Sequence, residues 1–146
     1  MNITILPIQE TDVEKLNALF LEFAHCEKLP ELMTNTVDQM KREKDYITGF
    51  AAKDDNGEII GYAIYFYAYY TWSGKCLYMD DLYVREKYRG QKIGTMLINK
   101  VISKAKEDKC YKLRWQVSKW NKPAIRFYES LGASINEVEM NCDLIF

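Results

Sequence analysis

Tyr88-Arg89-Gly90-Gln91-Lys92-Ile93-Gly94 is a short glycine turn between a strand-like run and an amphipathic segment. Leu77-Tyr78-Met79 and Leu82-Tyr83-Val84 carry the aromatic and branched content of a strand. Behind the turn, Ile93, Leu97, Ile98, Val101, Ile102 and Ala105 recur at helical spacing and form one apolar face. A helix entered through small residues presents unpaired N–H groups and the positive end of its dipole, an arrangement that holds phosphate or pyrophosphate. The same pattern also serves as a plain tight turn, and these residues alone leave both uses open. Two phosphate fingerprints are absent. The one Gly-Lys, Gly74-Lys75, is followed by Cys76 where a P-loop needs Ser or Thr, and Gly90 and Gly94 do not make Gly-x-Gly-x-x-Gly.

Asp80-Asp81 interrupts the apolar run just before the turn. A carboxylate in such a strand is costly to bury unless it is paired or solvated. Strict alternation puts adjacent residues on opposite faces, so at most one of the two is expected to line a given cleft. Either they mark a strand end or edge, or one of them attracts a cation or takes up its proton. A third segment, Trp120-Asn121-Lys122-Pro123-Ala124-Ile125-Arg126-Phe127-Tyr128-Glu129-Ser130-Leu131-Gly132-Ala133, puts Ala124, Phe127, Tyr128 and Leu131 on one helical face. On pattern alone Tyr128 is a core tyrosine.

The elements that must position these groups are legible at coarse resolution. Met1 to Pro7 alternates and reads as a first strand, not a signal peptide. Thr11-x-x-Glu14 has the form of a capping box before Val13, Leu16, Leu19, Phe20 and Phe23, and Thr36-x-x-Gln39 opens a shorter helix running to Lys44. Tyr46–Lys53 and Glu58–Tyr70 read as strands joined by Asp54-Asp55-Asn56-Gly57, a strong hairpin signal. Trp72-Ser73-Gly74 turns the second, tyrosine-rich strand back. Tyr111–Val117 alternates as a strand, Asn121 caps a helix, Gly132 suits its C-terminal end, and Ala133–Phe146 has room for a closing hairpin. The expected order is β-α-α-β-β-β-α-β-α-β-β, an α/β (α+β) mixed sheet covered by helices in a single domain over residues 1–146.

Composition narrows the function classes. A chain of 146 residues with net charge −1 is neither a general nucleic-acid binder nor a membrane-surface binder, and no apolar span is long enough to cross a bilayer. Cys26, Cys76, Cys110 and Cys142 are scattered without C-x-x-C spacing, as expected of reduced thiols in a cytoplasmic protein. The single histidine, His25, argues against a metal site.

Taken together, the turn, the apolar strand and the Asn-x-x-Ala-x-x-Phe-Tyr-x-x-x-Gly-Ala segment resemble the GNAT superfamily of N-acetyltransferases. Gly61-Tyr62-Ala63 through Trp72-Ser73-Gly74-Lys75 and Leu77–Val84, with Glu22 and Glu27 in the first helix segment, resemble its spermidine/spermine (diamine) acetyltransferase branch. The likeness covers nearly the whole chain. It departs at Lys92, which stands at the middle glycine of the family's Arg-x-x-Gly-x-Gly loop and whose Cβ disfavours φ > 0. The last strand, Asn141–Phe146, also ends sooner than in that branch.

The resemblance implies acetyl-CoA as acetyl donor and no metal. Backbone N–H groups of Leu82, Tyr83 and Val84 would bind the acetyl and pantetheine portions, and Arg89, Gly90, Gln91, Lys92, Ile93, Gly94 and Thr95 the pyrophosphate. Asn121 and Ala124 would lie beside the pantetheine arm. Tyr128 would protonate the departing thiolate, and Asp80 or Asp81 would take the amine's proton. Glu27, Trp72, Asp80 and Asp81 would receive a small cationic acceptor through charge and cation–π contact. Diamines, polyamines, lysine-like amino acids and amino-terminal peptides all fit that description. Direct transfer is expected, with a covalent route through a cysteine as the alternative. A protein-lysine or N-terminal acetyltransferase, whose peptide groove the Tyr69–Ser73 hairpin would obstruct, and a non-catalytic acyl-CoA-binding module are the competing classes. A homodimer is expected from the resemblance.

Overall fold

The structure, a computed structural model, describes residues 1–146, which divide into two compact units, Met1–Trp115 and Gln116–Phe146. The first unit holds a five-stranded sheet in the order β1-β2-β3-β4-β5: β1 (Thr4–Pro7), β2 (Gly49–Lys53), β3 (Ile59–Tyr70), β4 (Gly74–Val84) and β5 (Leu113–Arg114). The first four run antiparallel and β5 lies parallel to β4. Helices α1 (Val13–Cys26) and α2 (Val37–Arg42) precede β2, and α3 (Ile93–Glu107) joins β4 to β5.

One core cluster joins Val13, Leu16 and Leu19 of α1 and Met40 of α2 to Ala51, Ile59, Tyr62 and Tyr83 of the sheet. The apolar stripe of α3, Ile93, Leu97, Ile98, Val101 and Ala105, is likewise buried. Gly61 lets α3 come close to β3: a Cβ there would meet the Tyr83 carbonyl oxygen at 2.8 Å and Leu97 Cδ1 at 3.3 Å. The β2–β3 turn forms at Asn56-Gly57, where Gly57 has φ +76° and Asp54 Oδ1 accepts from the N–H groups of Asn56 and Glu58.

Several local expectations shift. The capping box falls two residues earlier than Thr11–Glu14: Asp12 Oδ2 accepts from the Gln9 N–H at 2.8 Å. Asp12 is buried, and its other oxygen holds Lys53 Nζ at 2.8 Å, so this cap also ties the start of α1 to β2. Thr36 caps α2 through the Gln39 N–H, but the Gln39 side chain donates to Glu43 instead of closing a box. A 3₁₀ turn occupies Lys44–Tyr46, so β2 starts only at Gly49. The strand expected over Tyr111–Val117 is reduced to Leu113–Arg114, the two residues that find a parallel partner on β4.

The second unit contains α4 (Lys122–Ser130), capped by Asn121 Oδ1 accepting from the Ala124 N–H at 3.3 Å. Gly132, at φ +89°, ends it, with the Ala133 N–H returning to the Tyr128 carbonyl. The closing hairpin does not form, since residues 133–146 contain no strand. Asn136 Oδ1 takes the Val138 N–H at 2.9 Å, a side-chain-to-backbone bond that competes with a ladder, and Leu144, Ile145 and Phe146 stay exposed. Helices α1 and α3 also end in the left-handed conformation, but on lysines: Lys28 at φ +64° and Lys109 at φ +59°.

Candidate active site

Asp81 stands opposite Ile64 in the β3–β4 ladder, whereas Tyr65 stands opposite Met79, which leaves Asp80 as the extra residue of a β-bulge. Bulges break alternation and re-aim side chains. Strict alternation is therefore interrupted at this pair, and the charge of Asp80 bears on Asp81. Burial pushes the Asp81 carboxyl up to about 7, helped by the like charges of Asp80 and Glu27. Loss of solvent around its carboxyl raises Asp80 as well, although the residue as a whole keeps solvent contact. Glu27, just past the end of α1, thus joins the two aspartates in one acidic cluster.

Trp72 does not join it. Exposed at 98%, it sits at the tip of the β3–β4 hairpin beyond the Tyr70–Gly74 pair. Tyr70 lies six residue steps along the strand from Ile64, roughly 20 Å at strand rise. Within one chain the indole is therefore remote from the carboxylates.

Beside the acidic cluster, Tyr83 donates to Glu22 Oε2 at 2.5 Å. Arg85 grips the same carboxylate with Nε at 3.3 Å and Nη2 at 3.2 Å, while Cys26 Sγ lies 3.7 Å from the Tyr83 hydroxyl. With Glu86 and Lys87 these residues line a pocket of about 230 Å³ between α1 and the end of β4. Neither Arg85 nor the Tyr83 hydroxyl was singled out by sequence pattern, because their pairing with Glu22 spans more than sixty positions.

The glycine turn takes a left-handed backbone at two positions just before α3. Gly90 has φ +79° and Lys92 φ +63°, and α3 begins directly after Lys92, so its first-turn N–H groups face outward without intrahelical acceptors. Arg89 folds back, donating from Nε to the Val84 carbonyl at 3.0 Å with its guanidinium 5.8 Å from the Tyr83 ring. Lys92 adopts the left-handed backbone that its Cβ disfavours. Because β5 pairs only with Leu77 and Tyr78, the outer edge of β4 from Met79 to Val84 has no strand partner. The Arg85 N–H donates to the Ile60 carbonyl, so alternation turns the backbone of Tyr83 toward β3. The N–H groups of Leu82 and Val84 are left on that open edge, where an extended amide chain can be received. In the second unit, Asn121 and Ala124 are joined by the cap of α4, and Tyr128 is 9% exposed with its ring 5.5 Å from that of Phe127. No group of His, Cys, Asp and Glu is arranged to hold a metal ion, and no helix is long and apolar enough to cross a membrane.

Comparison with known proteins agrees with this geometry. Residues 13–133 match the model of the acetyltransferase (GNAT) family. The chain is 32% identical over 142 residues to a thialysine N-epsilon-acetyltransferase of Bos taurus, covering 90% of this chain and 84% of that protein. A Caenorhabditis elegans protein of the same description is 31% identical over 132 residues, covering 89% and 82%. A human spermidine/spermine N(1)-acetyltransferase-like protein 1 is 29% identical over 84% of this chain and 19% of its own length. Among solved structures, an aminoglycoside acetyltransferase from an uncultured soil metagenomic sample shares the fold at TM-score 0.82 and 21% identity, over 98% of this chain and 97% of that one. From the bulged β4, its open edge and the glycine turn together with these matches, the chain belongs to the GNAT family of N-acetyltransferases.

Proposed function

We propose that residues 1–146 act as one catalytic domain that transfers the acetyl group of acetyl-CoA directly to a primary amine of a small cationic acceptor, diamine- or polyamine-like. The observation that carries this reading is Asp81, a carboxyl raised to about 7 and crowded by Asp80 and Glu27. An alkyl ammonium has a pKa of about 10.4 and must lose a proton before it can attack. An ordinary aspartate, near ~3.9, is about 6.5 units too weak as its base. Asp81 narrows that gap to about three units, which makes its proton uptake roughly a thousandfold more favourable.

The sequence of events follows from the residues. Glu27, Asp80 and Asp81 draw in the ammonium by charge. Asp81 accepts its proton, the freed nitrogen bonds to the thioester carbonyl carbon, and the carbon–sulfur bond breaks. Tyr128 gives its hydroxyl proton to the departing thiolate, and the second proton that the nitrogen sheds as the amide forms restores the phenol. Gly90 to Thr95, with Arg89, hold the pyrophosphate at the start of α3, and the open edge at Leu82–Val84 takes the pantetheine amides. By the family resemblance, Asn121 and Ala124 would lie beside that arm. The parts assigned to Tyr128, Asn121 and Ala124 rest on the family resemblance.

The relatives are named for the ε-nitrogen of thialysine and for N1 of spermidine or spermine, so an amine at the end of an alkyl chain is the acceptor to test first. A homodimer in the cytoplasm completes the proposal. Thiol release from acetyl-CoA, measured with spermidine, putrescine, lysine and thialysine, and a histone-tail peptide, decides among the classes. Turnover with the small amines and not the peptide is expected. Release with the peptide alone would replace this reading with a protein acetyltransferase, and tight acetyl-CoA binding without release for any amine would leave a binding module.

A further inference from the structure

Tyr62 stands opposite Tyr83, and Ile64 opposite Asp81, in the β3–β4 ladder. Residues directly opposite share a face, as do residues two apart on one strand, so these four form a square on the face covered by α1. Asp81 is the diagonal neighbour of Tyr62, at about 7–8 Å between backbones, a span a tyrosine side chain covers. The ring of Tyr62 is locked edge-on to Phe20 at 5.1 Å and against Tyr83 at 5.9 Å. Tyr62 is fully buried, yet its hydroxyl has no hydrogen-bond partner. Such an orphan is destabilising, and a phenylalanine would fill the same space without it.

Other candidates for a partner to Asp81 are already engaged or lack a donor. Tyr83 gives its hydroxyl to Glu22, and Ile64, directly opposite, offers nothing. Asp80 on the same strand and Glu27 beyond α1 present like charge. Among ionisable neighbours, Asp81 acts on the Tyr62 hydroxyl ahead of Tyr83, Asp80 and Glu22, and burial keeps that phenol protonated.

We propose that Tyr62 is a positioning residue for Asp81: once the carboxyl ionises, the phenol O–H donates to it, directly or through one trapped water, and fixes it to receive the proton of the amine. Tyr62 retains its own proton throughout. The catalytic part of this inference rests on the role given to Asp81 above, whereas the pairing itself does not.

The test is a carbon-13 titration of the Asp81 carboxyl in the full chain, without substrate, in the natural sequence and in Tyr62→Phe. Removing the donor should raise the Asp81 midpoint by about one unit, a tenfold weaker acid, and carry the acid limb of kcat/KM upward with it. An unchanged or lowered midpoint overturns the proposal, whatever happens to Tm. A raised midpoint in a chain that acetylates no amine upholds the pairing and rejects the acetyl-transfer reading. Should Tyr62→Phe not fold, the Cζ shift of Tyr62 in the natural sequence should itself follow the Asp81 titration near 7, and lose that step in Asp81→Asn. A Tyr62 signal flat through that range overturns the inference equally.

Discussion

Asp81 faces Ile64 across the β3–β4 ladder beside a bulge at Asp80, and the like charge of Asp80 adds to the burial that raises the Asp81 carboxyl. Crowding and burial together hold Asp81 near 7, and from this its pH behaviour follows.

Activity should rise with pH through about 7, because Asp81 must be ionised to accept a proton. Stability should move the other way. The folded-state value lies above the unfolded one, so the folded chain keeps a proton that the unfolded chain has lost. The contribution of Asp81 is complete below about pH 4 and lost as pH rises through about 7. Asp81→Asn should therefore raise Tm at pH 8 more than at pH 5 while lowering kcat at least a hundredfold. Equal Tm shifts at the two pH values would refute the raised carboxyl.

Tyr128→Phe should lower kcat by about tenfold to a hundredfold or more, with little change in acetyl-CoA affinity. Stopped-flow thiol release and calorimetric binding separate the two effects. Unaltered turnover would remove Tyr128 from the chemistry and return it to the core role its helical pattern implies.

Lys92 occupies φ +63°, a backbone region that costs a non-glycine residue about 1 kcal/mol or more. Lys92→Gly should stabilise the chain by about that much, read as a higher urea midpoint at unchanged m. If the ammonium also assists in holding the pyrophosphate, the same change should weaken acetyl-CoA binding. Weaker binding that disappears at high salt would identify charge as the cause.

Asp12→Ala removes two bonds at once, from the Gln9 N–H and from Lys53 Nζ, and leaves a mostly buried ammonium unpaired. A loss of about 2–3 kcal/mol is expected. Denaturant unfolding of Asp12→Ala, Lys53→Met and the double variant should show strong coupling, whereas additive losses would mean that the pair contributes little.

Local features were legible in the chain itself. The Asn56-Gly57 hairpin, the Thr36 cap, the apolar stripe of α3, the Asn121 cap and the Gly132 terminus depend on residues a few positions apart, so spacing alone reveals them. Lys28 and Lys109 close helices in the conformation usually left to glycine, and their residue type gives no sign of it. The expected final hairpin failed because a length of chain with room for two strands does not supply the neighbour that a ladder requires.

By itself, then, the sequence determined the mixed sheet, the glycine turn at the head of α3 and the presence of two carboxylates, Asp80 and Asp81, in an apolar strand. Tertiary structure alone decided what surrounds those groups. It put the bulge at Asp80, brought the charge of Glu27 to bear on Asp81, moved Trp72 to a distant tip and left the Tyr62 hydroxyl buried without a partner. Each of these depends on the register between β3 and β4 or on where α1 ends against the sheet. A proton affinity depends on what surrounds a carboxyl in space, and only the folded chain brings those surroundings together.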